Sequence, residues 1–172
     1  MILPMPVVVA DSSPIVYLSR LGRLGLLHDL YSSVLIPTAV WREVAVEGKG
    51  LPEAQALTEA VSQAWIQVEH STVETRIAYP LLGALGVGER EAIALALRIK
   101  ALLIIDEFDG RVIATQLGVR DTGTLGMLVH AVRRRLIPRL RPEIERLTQE
   151  TNFRCDDQLI ARVLKEVGEV PS

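Results

Sequence analysis

Two short runs of this chain are apolar at every position and then stop on an aspartate. They are Val7-Val8-Val9-Ala10 before Asp11 and Ala101-Leu102-Leu103-Ile104-Ile105 before Asp106. A strand with one face in water alternates polar and apolar residues, whereas a run without alternation is buried on both faces. Such runs belong in the middle of a parallel sheet, and a parallel sheet needs helices on both sides. The intervening sequence supplies them. The patterning predicts helices over 14–20, 24–30, 38–46, 52–64, 88–97, 110–117, 124–134, 138–149 and 158–167, and further strands at 34–36, 65–69 and 119–122. Residues 71–85 read as helical in their first half. Ser12 or Ser13 is expected to cap the first helix, with Pro14 in its first turn. The expected architecture is α/β, a three-layer α/β/α sandwich on a central parallel sheet of about five strands, with extra C-terminal helices.

The chain has 172 residues, enough for one domain with a two-layer core. We expect residues 1–150 to form that domain and 151–172 a helical extension packed on it. Hydrophobic residues make up 49% and the formal charge is −2, which excludes a disordered chain and any global positive field. The single cysteine, Cys155, excludes a disulfide scaffold and a cysteine-based zinc site, and His28, His70 and His130 are scattered. No apolar run reaches the roughly 20 residues that span a bilayer. The first residues lack a basic segment, so no signal peptide is expected and the protein is expected to be cytoplasmic. Any chemistry falls to carboxylates.

In an open parallel sheet, ligands bind beyond the carboxyl ends of the strands, where Asp11 and Asp106 lie. Glu43 follows strand two inside the third helix, where an acid by itself reads as solvated. Glu89 and Glu91 occupy the first turn of the 88–97 helix. Acids favour the dipole there, which accounts for Glu89. Glu91 leads into a mostly apolar helix and is expected to face the sheet's edge. Asp106, Glu107 and Asp109 put three acids within four residues; one is expected to cap the next helix and leave the others free. Asp121 reads as a loop acid beside Arg120. Clustered carboxylates repel and raise one another's pKa values, a cost that a cation relieves. All-oxygen ligands select Mg²⁺ or Mn²⁺, and such a site suits attack on a phosphodiester.

Five segments carry a family resemblance: Asp11-Ser12-Ser13-Pro14, Val40-Trp41-Arg42-Glu43, Gly88-Glu89-Arg90-Glu91-Ala92-Ile93, Ile105-Asp106-Glu107-Phe108-Asp109-Gly110-Arg111 and Gly123-Thr124-Leu125-Gly126. In this order and spacing, over residues 7–150, the chain resembles PIN-domain proteins of the kind found as the toxin in VapBC-type toxin–antitoxin pairs. The resemblance implies an acidic pocket that binds Mg²⁺ or Mn²⁺ and cuts RNA. It places Asp11, Glu43, Glu91 and Asp106 as the metal-binding acids and Asp109 as an additional catalytic acid, with Ser13 and Glu107 in support. The chain departs from the pattern at Glu107, where the subfamily has a second Asp, and at Ile105, where many PIN nucleases have Thr or Ser. Both Asp106 and Glu107 therefore stand as candidates to face the metal.

RNA binding requires local positive charge. Arg111 at the pocket edge and Arg133-Arg134-Arg135 are the candidates, in a stretch (130–154) with seven Arg against three Glu. The Arg run reads equally as a solvated helix end. Aromatic residues are 4%, so base-stacking platforms are scarce. The expected partners are an RNA substrate, a protein antitoxin and a second copy of the chain, with no membrane. Leu18, Leu21, Leu24, Leu26 and Leu27 are read as mostly core and otherwise as an interface. A receiver-type phosphate switch would need an acidic pair after strand one and a Lys near the last strand, and a haloacid-dehalogenase-type phosphatase would need Asp-x-Asp after strand one. Neither pattern is present. The remaining alternative is a catalytically degenerate PIN-like domain that acts as a binding or scaffold partner.

Overall fold

Both all-apolar runs lie side by side in the middle of one sheet. The computed structural model describes residues 5–70 and 80–170. Its strands are β1 (Val7–Ala10), β2 (Ser33–Pro37), β3 (Ile66–Glu69), β4 (Leu102–Ile104) and β5 (Asp121–Thr122), all parallel, in the order β3-β2-β1-β4-β5. The chain builds outward from β1 to β3, then crosses back to place β4 on the other side of β1. The order therefore reverses between β1 and β4, the switch point at which open α/β sheets leave a crevice at the strands' carboxyl ends.

Side chains alternate between the two faces of this sheet. Val8, Ala10 and Ile104 enter one core; Val9, Leu103 and Ile105 enter the other. All six are fully buried, each larger one contributing roughly 1.5–3 kcal/mol of apolar burial. The first core is covered by α1 (Ser12–Arg20), α2 (Gly25–Leu30), α4 (Pro52–Ser62) and α7 (Thr124–Arg133). The second lies under α5 (Val87–Ile99) and α6 (Phe108–Gln116). Layers on both faces make this the α/β sandwich expected from the sequence. Leu18, Leu21, Leu24, Leu26 and Leu27 are all buried, so that leucine face is core and not a docking surface.

Three local departures bear on the site. First, α1 begins at Ser12, with Asp11 in the N-cap position and no side-chain cap, so neither serine caps the helix. Second, the expected helix over 38–46 is two pieces: an α-helical turn, α3 (Thr38–Trp41), and a π-helical turn (Arg42–Glu47) that carries Glu43. Wide turns of this kind often accompany functional residues. Gly48 closes it, where a side chain would run into the Val44 carbonyl. Third, α6 starts at Phe108, two residues early, with Glu107 at its N-cap and no side-chain cap from any of the three acids. Most of the 71–85 segment lies outside the described residues; Pro80–Ala84 is a 3₁₀ turn.

The C-terminal segment shares the first core. Phe153, and Val163 and Leu164 of α9 (Asp157–Glu166), pack into it beside Ile144 and Leu147 of α8 (Arg141–Glu150). The Glu169 carboxylate accepts the N–H groups of Leu140 and of Arg141, the latter at 3.0 Å. Buried Glu143 ties α8 to the turn between α1 and α2, accepting two bonds from Arg23, at 2.6 and 3.2 Å. Removing one partner of such a pair strands the other, but Arg23 is 36% exposed and can rehydrate. Glu143→Ala is therefore expected to lower stability by about 2 kcal/mol, read as a lower urea midpoint with an unchanged slope.

Candidate acidic pocket at the sheet switch point

The ladder between β1 and β4 ends with the Asp11 N–H donating to the Ile104 carbonyl at 2.9 Å. The next atoms outward are carboxylates. Asp11 is 3% exposed. Burial pushes its pKa up to about 7; the Ser12 backbone N–H opposes the rise, and Glu89, Glu43 and Asp106 add to it. Among the described residues no arginine, lysine or histidine forms an ion pair with it. Beside it the Ser12 hydroxyl donates to Glu43 Oε2 at 2.7 Å. Gly88, in the first turn of α5, lies against this group. A Cβ there would sit 3.3 Å from Glu43 Oε2, 3.5 Å from Asp11 Oδ1 and 3.6 Å from Ser12 Oγ. The bare glycine is what lets α5 approach the acids.

Asp106 flanks the other side of the crevice. Its two oxygens accept from Thr124, one from the backbone N–H at 2.8 Å and one from the hydroxyl at 2.6 Å. It thus serves the N-terminus of α7, where a negative charge is favoured. Burial raises its pKa, and the two Thr124 bonds and Arg111 act against the rise. Gly123 makes this seat possible: a Cβ would stand 2.9 Å from Asp106 Oδ1.

The remaining acids separate. Glu89 reaches back to accept the Gly86 N–H at 3.1 Å, at the start of α5. Its pKa is raised, first by burial and then by Glu107, Glu43 and Asp109, so its carboxylate belongs to the pocket's electrostatic surroundings. The expectation that dipole capping accounts for Glu89 described only half its role. Glu91 goes elsewhere: its Oε2 accepts the Ala39 N–H at 3.1 Å, at the start of α3. Glu107 and Asp109 are exposed. Of the two serines, Ser12 is the one that contacts an acid; the Ser13 hydroxyl makes no hydrogen bond among the described residues. The signal for Ser12 was present in the sequence but was read as a helix cap.

The arginines also divide. Arg111 Nε donates to Asp121 Oδ2 at 2.7 Å, and its guanidinium also lies near Gly123 and Asp106. Asp121 is thereby an ion-pair partner of Arg111, which explains an acid read as lying beside Arg120. Arg133, Arg134 and Arg135 are exposed at the far end of α7, and Arg133 pairs with Glu166 at 3.2 Å. Asp106 holds the near end of the same ten-residue helix. At 1.5 Å per residue the run stands about 15 Å from it.

Among the described residues, no three His, Cys, Asp or Glu side chains converge into a ready-made metal cage. Mg²⁺ does not need one: it is commonly held by one or two carboxylates and completes its shell with water and substrate phosphate. A buried carboxylate with like charges around it and no ion pair among the described residues fits such an ion. No helix among the described residues is long and apolar enough to cross a membrane.

The DUF3368 family model, a PIN domain, matches residues 7–169 and so includes α9, beyond residue 150. No curated protein matches. Among solved structures, a PilT N-terminus domain protein from the hyperthermophilic archaeon Sulfolobus solfataricus P2 is similar at a TM-score of 0.52 and 21% identity, over 73% of this chain and 93% of that one. VapBC2 from Rickettsia felis, solved bound to a DNA fragment from its promoter, aligns at a TM-score of 0.47 and 13% identity, over 68% of this chain and 98% of that one. The first of these likenesses is one of fold.

Two outcomes are expected from the geometry. Burial holds the pKa of Asp11 at about 7 in the folded chain, well above the ordinary 3.8 of an aspartate. Between these values the folded chain binds the extra proton, so stability falls as pH rises from about 4 to 7 and stays lowered above that. Asp11→Asn with EDTA present should be more stable than wild type at pH 8 and little different at pH 4, in urea titrations at both. Gly123→Ala should cost about 1–2 kcal/mol, because its Cβ must dislodge an Asp106 held by two bonds. Gly88→Ala, whose nearest neighbour is a Glu43 tip that can shift, should cost less in the same assay.

Proposed function

This chain belongs to the DUF3368 family of PIN domains, and we propose that it is a metal-dependent endoribonuclease, the toxin of a toxin–antitoxin pair. The observation that carries the reading is Asp11: a carboxylate buried at the switch point, beside Glu43, with its pKa raised to about 7 and no ion pair to it among the described residues. A fold that keeps so costly a group in a crevice points to a site that uses it.

Asp11 and Glu43 would hold Mg²⁺ or Mn²⁺, with Asp106 facing the ion across the crevice and Glu89 at the edge of the same acidic field. When bound, the ion supplies Lewis acidity toward a phosphodiester and acidifies water. The chain's own residues do the rest. Ser12 fixes the Glu43 carboxylate, so that one oxygen keeps its direction. Thr124 fixes both oxygens of Asp106, each of which retains a second lone pair. Gly88 and Gly123 leave room beside the acids that a Cβ would take. Glu107 and Asp109 are exposed at the rim, and Asp109 stands there as an accessory acid. Arg111, bonded to Asp121, is placed to meet a phosphate at the pocket's edge. Arg133, Arg134 and Arg135 would serve as outlying contacts to an extended RNA backbone. An antitoxin and a second copy of the chain are the partners this reading calls for.

The test is cleavage of a mixed RNA pool by wild type and Asp11→Asn, with Mn²⁺ and with EDTA. Cleavage that needs Mn²⁺ and falls on the order of a hundredfold in the variant is the expected outcome. Equal cleavage by both proteins would remove Asp11 from the chemistry. Absence of cleavage by wild type on every RNA offered would favour a degenerate PIN-like domain that binds a partner.

A further inference from the structure

We propose that Glu91 is a positioning residue for Glu43, acting through the start of α3, and not a ligand of the metal. The proposal rests on the nuclease reading of the pocket and concerns how one of its acids is held.

The third helical segment needs outside help. Its α-helical part is four residues long, far short of what holds a helix by itself. Its N-cap position is Pro37, which has no side chain able to cap. Thr38 cannot substitute, because its hydroxyl is turned toward β3 and lies 3.4 Å from the Glu69 carbonyl and 3.1 Å from His70 Nδ1. The first-turn N–H groups are therefore left without a local acceptor. Glu91 provides one from another helix: its Oε2 takes the Ala39 N–H at 3.1 Å. A carboxylate at a helix start also has the favourable sign for the dipole.

What this contact holds in place is the π turn. Glu43 lies four residues after Ala39, about one helical turn on, and is the second residue of that turn. On α5, Gly88 and Glu91 are three apart and so share a face. Gly88 rests against the Glu43 carboxylate and Glu91 against the backbone that leads to it. One face of α5 thus sets both the tip and the root of Glu43, while Ser12 fixes the tip from α1. The bond recorded for the Glu91 carboxylate goes to a backbone N–H one turn before Glu43, and that contact makes it a residue that positions this acid.

Charge and hydrogen bonding can be separated here. Gln at 91 keeps an acceptor oxygen for Ala39 and loses the negative charge that a metal ligand requires; Ala loses both. Wild type, Glu91→Gln, Glu91→Ala and Glu43→Gln are compared in Mn²⁺-dependent RNA cleavage, Mn²⁺ binding and amide hydrogen exchange at Ala39. Glu91→Gln is expected to cleave within about threefold of wild type, bind Mn²⁺ as wild type does and keep Ala39 protected. Glu91→Ala is expected to lose about tenfold in rate and the Ala39 protection. Glu43→Gln is expected to lose activity and Mn²⁺ affinity with Ala39 still protected. Loss of Mn²⁺ binding in Glu91→Gln, or unchanged Ala39 protection in Glu91→Ala, would overturn the proposal. If wild type cuts no RNA, the nuclease reading fails, and Ala39 exchange with Mn²⁺ binding still decides what Glu91 holds.

Discussion

The hydrogen bond from the Asp11 N–H to the Ile104 carbonyl marks the place on which the rest of the molecule depends. Behind it lie two adjacent strands whose residues nearest the crevice, Val8–Ala10 and Leu103–Ile104, are fully buried; ahead of it lies a carboxylate that is almost as buried. The parallel register brings Ala10 opposite Ile104, so both strands run out at one level and release Asp11 and Asp106 on either side of the same crevice. Asp11 is buried there, while Glu43, Glu107 and Asp109 around it are exposed. Carboxylates at such a point raise one another's pKa, and the surrounding structure consists largely of devices that make this tolerable. Thr124 bonds to Asp106, Ser12 to Glu43, and two glycines stand where any side chain would press on an acid.

Much of the fold was legible because its signal is one of burial. A strand apolar on both faces has few places to go, and two of them ending on aspartate already imply neighbours in a parallel sheet. The acids at their ends were legible for the same reason, since a strand's end is set by the run itself. The elements that differed are those whose ends depend on tertiary partners. The first helix starts at Ser12 because the Ser12 hydroxyl is engaged with Glu43, thirty-one residues away, and not with its own backbone. The third helix widens into a π turn that local propensity does not distinguish from continued α-helix. The sixth begins at Phe108, before the Gly110 from which it was expected to start.

The roles of Glu89 and Glu91 show the limit in finer grain. They are two residues apart on one helix, so they point in different directions, and nothing local says which way the helix is turned. Apolar neighbours suggested that Glu91 faced inward, and it does; the inward partner is a backbone N–H and not the pocket. Glu89, accounted for by its dipole-favoured first turn, lies within the field of Glu43, Glu107 and Asp109. The arginines divide by the same logic. Three adjacent arginines form the conspicuous feature of the sequence, but a ten-residue helix separates them from Asp106. A single Arg111, engaged with Asp121, lies closest to it.

A pocket assembled this way holds its acids apart as much as it gathers them. Asp106 is committed to the start of α7, Glu43 to Ser12, and Glu91 to the start of α3, so each carboxylate stabilises a piece of the scaffold while the crevice between them stays open. A tight cluster of unpaired acids would destabilise the chain before any ion arrived, whereas acids tied individually to helix starts and hydroxyls limit that cost, which is greatest at Asp11, the most deeply buried of them. An ion that needs only one or two protein carboxylates suits such a site better than one that needs a full cage. The same division explains why the glycines matter. With the acids fixed by separate elements, the room between them is set by how closely α5 and the start of α7 approach, and Gly88 and Gly123 stand at those two approaches.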